Sequence, residues 1–442
     1  MCSESNQPQH GILNLVRFTV RGALAAGGLL LAAASGGTAQ ADPVTLTVWS
    51  NTYISEAGKR VFEDYQKATG NTLDVQYIPD PFEQTVLQKW AAGERPDVLY
   101  FHAIPKWLLR LNPKETLFDL ADRPFVAAAK GDFLMQSAAY DGHIYGAPLD
   151  APSVLGAFYN KPLFVRLGLT PPANLAELEK VLAAIKADGK VPPIFSAGGT
   201  QWPLLLLPYA AMQDLVTGSD FASKLRVNQA KWTDQPVVAA IQVERDFFDK
   251  GYYNSDVLSA TFDQEIDAIA TAKAGMIINQ SAAVVSAMVD KYGLDQVNRN
   301  VGFFGFSTKD SATGWFGLSP GVGAGAAYVP KTGDATKEKV AKEYVDWITG
   351  ANYAHYIAAS GTLPYYKGVE PSAKVPQCLL DAQAALEKRS GPSIEQYMLA
   401  DFGPMPQYLQ ELLAGSKSAA DVAAALQTDY LRSGKLIGLP GF

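Results

Sequence analysis

Apolar positions along this chain alternate between two spacings. VTLTVW (44–49) is a continuous run of the kind a buried strand carries, and in the following EAGKRVFEDYQKAT the residues Val61, Phe62, Tyr65 and Ala68 recur on one helical face. Ser55 is placed to cap that helix and Gly70 to stop it. LDVQYI (73–78) predicts a second strand, a helix follows through Val86, Leu87 and Trp90 to Gly93, and PDVLYF (96–101) predicts a third strand. Strand–helix–strand order of this sort predicts a parallel sheet with right-handed crossovers.

The rhythm repeats beyond residue 150. VLGAFY reads as a strand, and Asn174 caps a helix bearing Leu175, Leu178, Val181, Leu182 and Ile185 that Gly189 stops. PPIFSAGG returns as a strand, and Asp234 opens a helix through Val237, Val238, Ile241, Phe247 and Phe248. AGMIIN (274–279) and VGFFGF (301–306) are further strands. Segment 321–350 gives a strand, a turn and a helix with Val340, Tyr344 and Trp347 inward, and the tail from 371 reads as helices alone. No repeat of 20 to 50 residues and no low-complexity linker interrupts this pattern.

Length and composition narrow the picture. The 442 residues, 48% hydrophobic and 18% charged, describe a folded chain of two or three domains. A net charge of −7 argues against nucleic acid, whose phosphates need a basic face. Arg17 and Arg21 precede GALAAGGLLLAAASGG, an apolar run too short to span a bilayer, and Ala39-Gln40-Ala41 supplies a small-x-small cleavage pattern. Residues 1–41 are therefore expected to be a signal peptide cleaved before Asp42, leaving a charge of −8 and an exported, periplasmic protein. Cys2 leaves with that segment, so Cys378 is a lone thiol and no disulfide is expected.

The sequence resembles the extracellular solute-binding proteins of ABC importers, family 1, the group that binds sugars. The resemblance is carried by LTVWSN at 46–51, AAGERPDVLYF at 91–101, DGHIYGAPL at 141–149, FYNKPLFVRLGLTPP at 158–172, AKAGMIIN at 272–279 and YVPKTGDATKEKVAKEYVDWITG at 328–350. It implies an α/β protein with the two-lobed periplasmic-binding-protein fold, type II-like. Each lobe would be a mainly parallel sheet flanked by helices, with the ligand cleft between the lobes. Residues 42–150 plus 308–350 would form the N-terminal lobe and 153–303 plus 361–442 the C-terminal lobe. The chain would cross near 150–153, 303–308 and 350–361. The acidic loop Asp150–Ser153, between two apolar runs, is then the first crossing. Where relatives carry an aromatic ring soon after the equivalent of GMIIN, this chain has Gln280 and Ser281.

Ligands of open α/β sheets sit beyond the carboxyl ends of the strands. That rule selects Trp49, Asn51 and Tyr53 after the first strand, Phe101 and His102 after the third, Gln201 and Trp202 after IFSAGGT, and Asn279 and Gln280 after AGMII. Asp150 and Ser153 join them from the crossing, and Trp315 and Phe316 from the glycine-rich TGWFGLSPG. Flat rings suit the C–H faces of a sugar, and amides, hydroxyls and carboxylates suit its hydroxyls. For Trp202 the competing expectation is a core tryptophan ahead of PLLLLPYAAM; for Asp150 it is a capping role, and for His102 a structural one.

Enzyme and metal readings fare less well. GLSPG (317–321) matches G-x-S-x-G, but Pro320 follows the serine and has no N–H for an oxyanion hole. GVGAGA (321–326) imitates a dinucleotide loop but leads into a strand pattern. His102, His143 and His355 show no metal-ligand spacing, and the tyrosine pairs 252–253 and 365–366 lack a supporting carboxylate pattern for iron. The expectation is a monomer that binds a small carbohydrate, uses no cofactor, and hands its ligand to cognate ABC permease subunits. A secreted carbohydrate-active enzyme, or a protein of the same fold for a polyol, polyamine or iron, is the alternative.

Overall fold

The computed structural model describes residues 42–442 apart from 52–55, 80, 131–133, 135–137, 150–152, 306–315, 320–324 and 389; the side chains of 282–283, 316–319, 386–388 and 390 are also outside the description. Two sheets organise it. The first is built from β1 (Thr45–Asn51), β2 (Thr72–Ile78), β3 (Val98–Phe101), β6 (Gly146–Pro148) and β11 (Ala326–Tyr328), in the order β2-β1-β3-β11-β6. The two intervening strands, β4 (Ala139–Tyr140) and β5 (His143–Ile144), form a separate hairpin around the Asp141-Gly142 turn. β1 runs parallel to β2 and β3, as the strand–helix–strand rhythm predicts, and β11 alone is reversed.

The second sheet contains β7 (Ser153–Asn160), β8 (Met276–Gln280), β9 (Val301–Phe304), β10 (Phe316–Ser319) and β12 (Ser390–Pro392). β7 lies antiparallel to β8, β9 and β10, so three of the sheet's four strand pairings are antiparallel and only β10 with β12 is parallel. This corrects the expectation of a mainly parallel second sheet. Periodicity reports that a strand is buried on both faces but not which way it runs. PPIFSA is likewise less than a strand: Ile194 makes isolated parallel bridges to Tyr253 and Met276.

Burial explains the unbroken apolar runs. On β7, Leu155 and Ala157 join a core with Leu182, Tyr209, Ile241 and Trp232, whereas Val154 and Phe158 join a different core with Ile269, Val284 and Met288. Both faces of the second sheet are thus covered by helices, and alternation of polar with apolar residues is lost. The first sheet has its own core around Val48, Phe62, Tyr65, Tyr100 and Tyr344. Helix ends follow local chemistry: the Asn174 side chain accepts from Glu177 N–H, and Gly189 stops the helix Leu175–Asp188 at φ +67°. Asp234 is the cap residue of Gln235–Asp249, but its carboxylate accepts from Lys231 N–H instead of the helix.

Strand pairing also fixes where the chain changes sheets. The first passage runs from β6 through Leu149 into β7. The second is expected near 303–308; among the described residues the chain still belongs to the second sheet at β10, up to Ser319, and to the first sheet at β11, from Ala326. The third was expected near 350–361. The helix Tyr353–Ser360 and the pair Tyr365–Tyr366 pack in the first core, while Leu363, Val375 and Cys378 join the second-sheet core, so the chain touches both cores between 361 and 375. Hydroxyls lace the first and third passages together: Tyr366 Oη donates to Pro148 O (2.6 Å), Tyr353 Oη to Leu149 O (2.7 Å), and Tyr365 N–H to Tyr353 Oη (2.6 Å).

Candidate functional site

Topology gathers strand ends at one end of each sheet. β1, β3 and β6 point the same way, so Asn51, Phe101–His102 and Leu149 share one end of the first sheet. The chain leaves that end directly for Ser153, and β7 pairs so that Ser153, Ser281 and Ser319 share one end of the second sheet. Gly325, where the second passage enters the first sheet, has φ +61° and lies so close to Phe101 O that any side chain would collide with it.

On the first-sheet side, His102 Nε2 meets Glu83 Oε1 at 2.6 Å. Burial alone would lower the His102 pKa, but the Glu83 hydrogen bond and charge outweigh it and raise it. Burial likewise pushes Glu83 up, and the His102 partner outweighs it to hold the acid at about 2. Each partner thus favours the charged form of the other. Phe101 is 2% exposed, with Phe82 and Trp107 at ring distances of 5.7 and 6.4 Å. Trp49 is 3% exposed and turns inward, its indole N–H donating to Gln76 Oε1 at 3.1 Å. Both rings lie in the core beneath the strand ends. A strand's last residues alternate faces, so proximity to the carboxyl end does not by itself aim a ring at solvent. Asn51 is half-buried.

On the second-sheet side the segment after Ile194 runs alongside β8 and turns at Gly198–Thr200. Gly199 N–H donates to Ala260 O, and a Cβ there would lie 2.5 Å from Ser259 O. Gln201 holds φ +70°, ψ −63°, a costly conformation for a residue with a side chain, and its amide reaches Gln410 Oε1 at 3.1 Å. Trp202 is half-buried, tilted against the Phe262 ring at 5.1 Å. Gln280 is buried at the end of β8 and its Oε1 has no hydrogen-bond partner among the described residues. Asn279 faces away into the lobe, donating to Glu265 Oε1 at 2.7 Å. Ser281 Oγ accepts from Val154 N–H at 2.9 Å and lies 3.5 Å from Ser153 Oγ. The structure thus brings Ser153, Gln201, Trp202 and Gln280 to one end of one lobe. Tyr53, Asp150 and Trp315 lie outside the described residues; Phe316 opens β10, with its ring outside the description.

A charged cluster that the sequence reading missed joins the lobes beside these ends. Lys106 follows β3 and is 4% exposed; its Nζ lies 2.7 Å from Glu395 Oε1 and 3.9 Å from Asp401 Oδ1, over the Phe402 ring at 4.4 Å. Burial would lower its pKa, but Glu395 and Asp401 raise it. Arg110 adds a contact to Asp401 at 3.3 Å. Lys106 sits within IPKWLLR, and a lysine amid apolar neighbours was the available signal. Its partners, nearly 300 residues away, left none.

A family profile described as bacterial extracellular solute-binding protein matches residues 50–354. The chain belongs to that family. An uncharacterized ABC transporter extracellular-binding protein of Pyrococcus horikoshii is 30% identical over 133 residues, which is 28% of this binding protein and 30% of the relative's length. Solved structures share the two-lobed fold. A chitin oligosaccharide binding protein superposes with TM-score 0.74 at 23% identity, covering 89% of this chain and 100% of the other. A Bacillus licheniformis sugar transporter in complex with stachyose gives 0.71 at 20% identity, covering 88% and 100%. The matched family and these neighbours are binding proteins.

Proposed function

We propose that this protein captures a sugar or oligosaccharide between its lobes and delivers it to the membrane permease of an ABC importer, without chemical conversion. One observation carries the reading. A half-exposed indole, Trp202, is held on Phe262 directly after the amide of Gln201, on a loop whose approach runs beside the strand that ends in Gln280, a flat apolar face accompanied by neutral hydrogen-bonding groups. That combination matches the two surfaces of a pyranose. Neighbours of the same fold named for chitin oligosaccharide and stachyose support an oligosaccharide. Asn51 and His102 from the facing lobe, with Ser153, complete the proposed floor, and Tyr53, Asp150, Trp315 and Phe316 are proposed to close over it. Asn279, Trp49 and Phe101 serve beneath the surface. Closure follows from the ligand's greater contact with the shut lobes than with the open ones.

Export fits the same reading. Residues 1–41 are proposed to be removed before Asp42, releasing a monomer to the periplasm; no helix among the described residues is long and apolar enough to cross a membrane. A thermal-shift screen of residues 42–442 against mono-, di- and oligosaccharides, polyols and polyamines tests the proposal. Sugars are expected to raise Tm by mass action. Stabilisation by polyamines alone, or turnover of any glycan, would overturn it, and amino-terminal sequencing of the secreted form checks the cleavage point.

A further inference from the structure

The loop that presents Gln201 and Trp202 is held by two helices: Gln410 of Met405–Leu413 donates to Gly198 O at 2.6 Å, and a second helix supports the loop from behind. Phe262 N–H donates to Thr200 Oγ1 at 2.9 Å, the Phe262 ring supports Trp202, and Gly199 is fastened to Ala260 O just ahead of that helix, Phe262–Ala270. One turn further on, Glu265 is 1% exposed. Its Oε1 accepts from Asn279 Nδ2 at 2.7 Å, the Ala197 N–H faces the same carboxyl, and Asn279 Oδ1 in turn accepts the Gln280 N–H at 2.7 Å. One carboxyl therefore touches both strand ends, Ala197 before the loop and Asn279–Gln280 at the close of β8.

We propose that Glu265 is a positioning residue of the binding floor: its buried carboxyl fixes the Gly198–Trp202 loop against the β8 end and so sets how Trp202 and Gln280 meet a ligand. The inference rests on the sugar-binding reading of that floor for its consequence, but not for its geometry. Burial raises the Glu265 pKa to about 8, against the opposing hydrogen bonds of Asn279 and Ala197, so it keeps its proton at neutral pH. Tyr253 of the neighbouring 252–254 segment, whose hydroxyl burial holds far above its ordinary value, interacts through charge with Glu244 first and with Glu265 second. Oε2 has no hydrogen-bond partner among the described residues. Replacing the carboxyl with an apolar group would leave the buried Asn279 Nδ2 without its acceptor, whereas an amide in the same place would keep one.

That contrast supplies the test. In the ligand-free protein, Glu265→Leu is expected to lower the denaturation midpoint modestly and to speed hydrogen exchange about tenfold at the amides of Gly199 and Gln280. Glu265→Gln, which keeps an acceptor for Asn279, is expected to leave that exchange within about threefold of the parent at pH 7 and to reduce the change in protection, taken relative to intrinsic exchange, between pH 7 and 9. Titration with stachyose and chitin oligosaccharides then reads the consequence: affinity lost about tenfold in the leucine variant and retained in the glutamine variant. Unchanged exchange in the leucine variant, or equal loss in both, would overturn the proposal. If the leucine variant does not fold, the exchange and pH response of the glutamine variant decide it. Failure of the unsubstituted protein to bind any of these sugars sinks the sugar reading instead, and the exchange rates of the two variants still decide whether Glu265 holds the loop.

Discussion

Glu244 offers a direct test of the energetics behind the floor. It projects from the helix Gln235–Asp249 into a small cavity walled by Ile194, Ser196, Pro203, Leu207, Tyr253 and Ile278, is 1% exposed, and neither carboxyl oxygen has a hydrogen-bond partner among the described residues. Burial raises its pKa from 4.5 to about 8, offset only in part by the Tyr253 hydroxyl. A folded-state pKa above the unfolded one means the folded chain binds the extra proton. The stabilisation is complete below about pH 4.5 and is lost as pH rises through about 8. At about 1.4 kcal/mol per pH unit the ceiling is about 5 kcal/mol, and relaxation of the cavity brings the expected loss to about 2–4 kcal/mol between pH 5 and 9. Glu265 titrates in the same window and in the same direction. The perturbation is Glu244→Gln, which holds the shape and removes the charge. Urea denaturation of the ligand-free protein, followed by circular dichroism at pH 5, 7 and 9, should show the variant about 2–4 kcal/mol more stable than the parent at pH 9 and within about 1 kcal/mol at pH 5. Parallel pH profiles for the two proteins would refute the assignment of a buried neutral acid.

Two further substitutions probe the site itself. Glu395→Gln leaves Lys106 buried without its 2.7 Å partner, and removing one member of a buried pair costs about 3–5 kcal/mol; the double change Lys106→Met, Glu395→Leu should recover most of it, read by ligand-free denaturation, and equal stability of all three proteins would show the pair to be idle. Trp202→Ala should weaken sugar binding by about 1–3 kcal/mol with a smaller effect on ligand-free stability, since the ring is half-exposed before ligand arrives. Calorimetry and denaturation on that variant separate the two roles, and a large stability loss with unchanged affinity would remove Trp202 from the site.

Much of the fold was legible because it is written in local patterns. The helix caps at Asn174 and Gly189, the apolar faces of Glu56–Thr69 and Ala335–Thr349, and the runs that became β1, β3, β7 and β8 all rest on spacing and on residues within one turn of each other. The solute-binding family was legible because its motifs keep their order over most of the chain. Strand direction and the later passages between sheets were not. Whether β10 pairs with β7 or leads into the first sheet depends on partners some 165 residues away, and its own side-chain pattern is the same either way.

The site divides along the same line. Sequence by itself determined which residues stand at strand ends, because a strand's end is a local property. It placed Trp49 and Phe101 there as readily as Trp202, and only the tertiary structure decided that the first two rings turn into a core while the third lies half-open on Phe262. Only the structure, too, could set Lys106 against Glu395 or join Glu265 to Asn279. Helical and strand periods fix the face a side chain occupies along its own element. What that face meets depends on how distant elements dock, and a buried charge is stable only where that docking brings it a partner or keeps it protonated.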